Sequence, residues 1–327
     1  MKVSAVIPAK KSRILSSVVL DGQGVGSCMS ALASLYVVAL KTNRKPCVLA
    51  SSLKDCEELF GKNPSSFADS FSSFKEKFTI INNEKLDAKT LTLHGGPEGL
   101  VDSDFISSHV TCTRGDQDVE ITFQPWFRQW SEYQDEILEL FKFDEEIVAK
   151  AKSLIPATKR PLVGVSLRLE YYKKYNSGEL KPDEVGAHLA LSPDYYTYAL
   201  DLFTPPCFPE GVDFLFFSDD IELAKELAPL LRGILIEQYA SQGMGGRNLP
   251  AFFYADRSSD PFAGICALSL CDHVINSNSS FSFWGSMLNA NKHKKIVCPE
   301  FWMHPRKKGF SINGCWYPPE WHSLPIC

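Results

Sequence analysis

The sequence predicts an α/β protein whose second half folds as a parallel, helix-covered sheet. Two patterns and one bulk property carry that prediction. From Leu162 onward, short apolar or β-branched runs alternate with stretches of helical period. Strands are predicted at Leu162–Arg168, Asp213–Ser218, Gly233–Ile236, Asp272–Ile275 and Lys295–Cys298. Helices are predicted at Asp194–Leu202, Ile221–Leu231, Asp260–Leu270 and Ser280–Asn289. Such alternation is the signature of βα units. The stretch DHVINSNSSFSFWGSMLN, Asp272–Asn289, shows the unit most clearly. A short strand runs into Asn276-Ser277-Asn278-Ser279-Ser280, small polar residues that form turns and helix N-caps, and then into a helix with Phe281, Trp284 and Leu288 on one face. Finally, 327 residues with 44% hydrophobic side chains supply enough apolar surface for two ordinary domains.

Composition narrows the function. A net charge of -5 without a basic block argues against nucleic acid as a partner. The longest apolar run, Cys28–Leu40, falls short of a bilayer span, and Met1–Pro8 is too short for a signal peptide. Ten cysteines without a C-x-x-C pair permit disulfides but do not fix an oxidising compartment.

The first half opens with a predicted strand, Ile14–Leu20, and a glycine-containing turn, Asp21–Gly26. A helix from Ser27 to about Lys41 follows, apolar almost all round and therefore expected to be buried, and then a strand at Pro46–Ala50. The glycine spacing excludes the dinucleotide-binding G-x-G-x-x-G, because Ser27 and Met29 stand where the last glycine would be needed. Phe67, Phe71 and Phe74 are spaced like a helix face. Glu120–Gln124 is a further strand, and Glu132–Leu154 a helix carrying Ile137, Leu140, Phe141, Ile147 and Val148. Prolines 156 and 161 flank a boundary, giving domains of residues 1–156 and 157–327.

Ligands of parallel α/β sheets bind at the carboxyl ends of strands. Three predicted strand ends are polar: Ser166 to Glu170, Ser218-Asp219-Asp220, and Asn276 to Ser280. The last also begins a helix, where free N–H groups and the positive end of the dipole suit a phosphate. Asp219 and Asp220 are good first-turn helix residues, so capping explains at least one of them, and the other is open to a ligand. The charged segment Tyr171–Gly186 reads as a surface loop, either a lid or a tolerated insertion.

These motifs resemble the α-1,2-fucosyltransferase family. Asn278, Ser279, Ser280, Phe281, Ser282, Trp284 and Leu288, with Pro299 and Trp302, match its last motif. Phe217-Ser218-Asp219-Asp220 is similar to its middle motif, and Tyr317-Pro318-Pro319-Glu320-Trp321 to its closing segment. Gly24–Met29 resembles its glycine turn, and Phe123–Phe127 with Trp130 its aromatic segment. The resemblance implies a GT-B-like fold, two facing Rossmann-like domains with parallel sheets. The N-terminal domain would lie on the acceptor side, with GDP-fucose in the C-terminal one. It implies inverting transfer of fucose to a galactose-terminated glycan, and a Golgi location, although no signal or anchor is visible in this chain.

The first motif departs from that family. Val163–Tyr171, VGVSLRLEY, is similar to V-G-V-H-V-R-R-G-D-Y, with Arg168 on the first arginine, Ser166 in place of His and Leu169 in place of the second arginine. Glu170-Tyr171 stands where Gly-Asp is usual. Arg168 is expected to bind the diphosphate as a fork of donors, with Ser218, Asp219, Asn278, Ser279, Ser280 and Phe281 around the nucleotide sugar. No cofactor or metal is expected, since the two D-x-D triplets, Asp102–Asp104 and Asp116–Asp118, are no more than chance would give. Glu170 is the carboxylate nearest the usual position of the base. The altered motif leaves two expectations: a fucosyltransferase using Glu170, or a non-catalytic member that binds nucleotide sugar or glycan with little transfer.

Overall fold

The protein is described by a computed structural model that covers residues 13–16, 24–51, 53–54, 65–81, 93–94, 119–122, 131–169, 173–174, 177–178, 191–205, 207–241, 249–256, 260–302 and 317–325. The chain divides into two compact units, one of Met1–Leu59 with Ser66–Lys142 and one of Phe60–Ser65 with Phe143–Cys327.

In the first unit, β1 (Arg13–Ser16), β2 (Lys45–Leu49), β3 (Thr79–Ile81), β4 (Leu93–His94) and β5 (Val119–Thr122) form one parallel sheet in the order β3-β2-β1-β5-β4. Helix α1 (Val25–Lys41) is buried on nearly every side, as its composition predicts. It begins two residues earlier than expected, with Gly24 as N-cap, and a Cβ at Gly24 would meet nothing, so no tight turn demands glycine there. Its end is a Schellman turn. Asn43 takes φ 52, Asn43 N–H donates to Leu40 O, and Arg44 N–H donates to Ala39 O at 2.8 Å. Phe67, Phe71 and Phe74 do pack together, with Phe71 5.1 Å from Phe141, but only α2 (Phe74–Lys77) is helical there.

The helix expected over 132–154 is two. It breaks between α3 (Gln134–Leu140) and α4 (Glu145–Leu154), where Asp144 accepts from Glu146 N–H at 3.0 Å and caps the second. The break coincides with the division between the units, so α4 belongs with the second unit rather than before a boundary at 156.

The second unit holds β6 (Leu162–Leu167), β7 (Asp213–Ser218), β8 (Phe252–Asp256), β9 (His273–Ile275), β10 (Ile296–Pro299) and β11 (His322–Leu324). All pairings are parallel, in the order β11-β10-β9-β6-β7-β8. Its remaining helices are α5 (Pro193–Asp201), α6 (Ile221–Ser241), α7 (Pro261–Ser269) and α8 (Ser280–Met287). The strand expected at Gly233–Ile236 is the last part of α6. Ala224, Ala228, Leu231, Leu235 and Tyr239 form one buried stripe at helical spacing, while Ile236 is 41% exposed. The third strand in sequence is Phe252–Asp256 instead, which the sequence reading passed over. Counted from β6, the strand order is that of the doubly wound dinucleotide fold, and its direction reverses between β6 and β9.

Packing between the helices and this sheet is close. A Cβ on Gly164 of β6 would lie 2.5 Å from Leu268 Cδ1, and one on Gly285 of α8 would lie 2.6 Å from Leu268 Cδ2. Both glycines are therefore set by one leucine of α7. Among the described residues no helix is long and apolar enough to cross a membrane.

Candidate functional site

At the reversal point, β6 and β9 stay paired only to Val165 and Ile275, while β6 and β7 stay paired to Leu167 and Ser218. Beyond Ile275 the chain turns into α8. The switch point between these two strand ends is the crevice position at which open α/β sheets usually bind ligands.

Arg168 stands on one side of it and Asn278 on the other. The Arg168 guanidinium donates to the Asn278 main-chain oxygen at 3.3 Å, joining two predicted motifs 110 residues apart. Asn278 is buried, and its amide nitrogen donates to Trp302 O at 3.2 Å, so although Asn278-Ser279-Ser280 has the form of an N-glycosylation acceptor, its nitrogen lies in the interior. Ser279 is the N-cap of α8, its hydroxyl accepting from Phe281 N–H at 3.3 Å. Ser280 is half-buried in the first turn, and Phe281 packs 6.4 Å from Phe217 at the end of β7.

Several motif residues act inside the fold. Asn276 accepts the Ser286 hydroxyl at 2.9 Å, and Asn289 donates to Cys271 O at 2.7 Å, so the strand–turn–helix is clamped at both ends. Ser282 donates to Ser277 O and Ser279 O, both at 3.0 Å, and closes the turn on itself. Trp284, Trp302, Phe283, Tyr317 and Trp321 form one aromatic cluster.

The first motif divides sharply. Ser166 is fully buried and its hydroxyl shares a 3.0 Å hydrogen bond with Ser277. Leu169 is buried in the apolar core with Leu167, Leu191 and Leu231, so the position of a second arginine is interior here. Glu170 and Tyr171 lie outside the described residues, as do both D-x-D triplets, the segment around Trp126 and most of the loop after Tyr171.

The middle motif is settled in part. The Ser218 hydroxyl accepts from Asp220 N–H and donates to Asp220 O, both at 3.0 Å. Asp220 caps α6 by accepting from Leu223 N–H at 3.1 Å and pairs with Lys173 at 3.1 Å. That backbone hydrogen bond, then the lysine, holds its carboxyl below the ordinary range. Asp220 is therefore the capping residue of the pair. Asp219 accepts from Leu169 N–H at 2.7 Å.

The sequence reading missed Tyr195 and Tyr196. Tyr195 donates to Asn276 O at 2.6 Å and Tyr196 to Ser166 O at 3.2 Å, and burial raises both phenol pKa values well above 10. In sequence they are two aromatics inside a helix, and only the Pro193 start that aims α5 at the strand ends marks them out. Among the described residues no group of three or more His, Cys, Asp or Glu is placed to hold a metal ion.

With this geometry in hand, comparison with known families gives one match. Residues 180–324 match glycosyl transferase family 11. The family-11 segment takes in the middle motif, the Asn276–Ser280 turn and the closing aromatic residues, and it begins after Arg168, where the sequence departs most from the fucosyltransferase pattern. That family agrees with the motifs at the level of fucosyltransferases. No curated protein matches the chain. Among solved structures, fucosyltransferase NodZ from Bradyrhizobium is similar over 85% of this chain and 92% of its own, at 14% identity and a TM-score of 0.52. An Arabidopsis thaliana FUT1 mutant in complex with GDP is similar over 89% of this chain and 71% of its own, at 13% identity and a TM-score of 0.50. POFUT1 in complex with GDP is similar over 88% and 98%, at 10% identity and a TM-score of 0.51. At these identities the likeness speaks for the fold, a GT-B-like α/β architecture with parallel sheets.

Proposed function

We propose that the chain binds GDP-fucose in the crevice between β6 and β9 and transfers fucose, with inversion, to a hydroxyl of a galactose-terminated glycan as an α-1,2-fucosyltransferase. The observation that carries this reading is Arg168 held against the Asn278–Ser280 turn at the strand-order reversal. The family-11 match, and the GDP held by the FUT1 and POFUT1 structures, support the donor class.

In the reaction, an acceptor oxygen forms a bond to the fucose anomeric carbon from the face opposite the phosphate. The bond from that carbon to the β-phosphate oxygen breaks, and its electron pair stays on GDP. Arg168 and the positive end of the α8 helix dipole neutralise that charge without a metal. The acceptor proton goes to a base. Ser166 is buried and bonded to Ser277, and a serine hydroxyl does not titrate near neutral pH, so it does not serve. Glu170 is the carboxylate next along the chain and takes that role in this reading. A Golgi location is part of the same proposal, and fractionation of expressing cells checks it.

Titration calorimetry with GDP and GDP-fucose, followed by transfer to a galactoside, tests the reading. Binding of both ligands is expected, with transfer reduced about 10²–10⁴-fold in Glu170→Gln. Binding without any transfer by the parent chain would instead favour the non-catalytic alternative. Failure to bind either ligand would remove the crevice as the donor site.

A further inference from the structure

The end of β6 is held in an unusual way. Asp272 N–H donates to Leu162 O, so the even-numbered residues of β6 turn their main-chain groups toward β9. Ser166 O and Arg168 N–H are the next such pair, but the ladder has stopped at Val165 and Ile275 and β9 offers them no rung. A phenol meets the first of them: the Tyr196 hydroxyl donates to Ser166 O at 3.2 Å. On the other side of Arg168, the following N–H, that of Leu169, is bound by Asp219 at 2.7 Å. The chain is thus held on both sides of Arg168, at Ser166 O and at Leu169 N–H, and the guanidinium is laid on Asn278 O.

The ring of Tyr196 is buried, edge-on to Tyr195 at 5.1 Å, and Tyr195 itself holds Asn276 O on the other wall of the crevice. Neighbouring residues of one helix therefore fix both walls. A buried phenol whose hydroxyl is hydrogen-bonded has little freedom to move, which makes it a fixed anchor.

We propose that Tyr196 and Asp219 are positioning residues that set the guanidinium of Arg168 for the donor's diphosphate. This rests on the GDP-fucose reading of the crevice. Asp219, expected from sequence to touch the nucleotide, acts here through Arg168. A strand end that frays by an ångström would cost the fork its alignment while leaving its charge in place.

The test is a cycle of GDP affinities for the parent chain, Tyr196→Phe, Arg168→Ala and the double variant, with guanosine as a phosphate-free probe. Tyr196→Phe keeps the ring and loses only the hydroxyl. It is expected to weaken GDP about tenfold, the scale of one buried hydrogen-bonding group, to leave guanosine unchanged, and to have less than about a twofold effect once Arg168 is alanine. A tenfold loss that persists in the Arg168→Ala background, an equal loss for guanosine, or no loss at all would overturn the proposal. If Tyr196→Phe does not fold, Asp219→Ala takes its place in the same cycle. There, Asp219→Asn, which keeps an acceptor for Leu169 N–H, is expected to restore affinity, and failure to restore it would overturn the proposal. A parent chain that binds no GDP would instead overturn the donor reading and take this inference with it.

Discussion

Arg168 stands half-buried just past the end of β6, with one guanidinium nitrogen on Asn278 O. Arg168→Ala is expected to weaken GDP binding by about 1.5–3 kcal/mol, the range for a hydrogen bond to a charged group. Arg168→Lys should recover only part of that, since an ammonium cannot reproduce the planar fork. Calorimetric affinities for the three chains check both statements. At this scale the sequence was partly readable. Arg168, Asn278 and Ser279 could be singled out because their residue types and spacing carry the signal. What their side chains do was less readable. Ser218 and Ser279 spend their hydroxyls on their own turns, and Asp220 caps α6. Neighbouring serines and aspartates at a strand end look alike in sequence, and only the geometry of the turn separates a cap from a brace.

Two elements invite direct tests. Gly285→Ala drives a methyl toward Leu268 and should lower stability by about 1–3 kcal/mol, read from the urea midpoint. Removing the obstacle with Leu268→Ala should make the double variant less unstable than the sum of the single losses. At the start of β9, His273 is buried against Phe203 and Phe208, and its Nδ1 accepts from Lys295 N–H at 3.0 Å. Burial lowers its pKa below the ordinary 6.5. The unfolded chain therefore binds this proton more readily than the folded one. Stability should fall as pH drops below about 6.5, down to the depressed folded value, and His273→Gln should flatten that slope. Element types were legible where period and turn chemistry agreed, as in α1 and in the β9–α8 unit. They were misread at Gly233–Ile236, where Gly233 followed by Ile-Leu-Ile imitates a turn and strand. The stripe from Ala224 to Tyr239 decides for helix, but it becomes visible only over the full 21 residues of α6.

For the whole molecule, the donor reading makes a simple demand. GDP at 100 times its dissociation constant should add about 2.7 kcal/mol to stability, seen as a rise in Tm. We expect that rise to survive a chelator, and its loss on chelation with recovery on adding magnesium would show that the site needs a metal. The parallel character of the second sheet was readable from alternation alone, whereas the order of its strands was not, because nothing local in a strand names its neighbour. That order has a consequence for how the chain comes to be folded. Central strand β6 takes β7 on one flank soon after it is made, but its other flank waits for β9, and the contact that opens that pairing joins Leu162 to Asp272, 110 residues later. Pairings that span such distances are slow to form, because the intervening chain must be closed into a loop before any contact rewards it. During synthesis the nascent sheet therefore carries a bare edge beside β6 until β9, near the start of the last sixth of the chain, has emerged. In that interval it is most open to mispairing with other chains and to capture by chaperones.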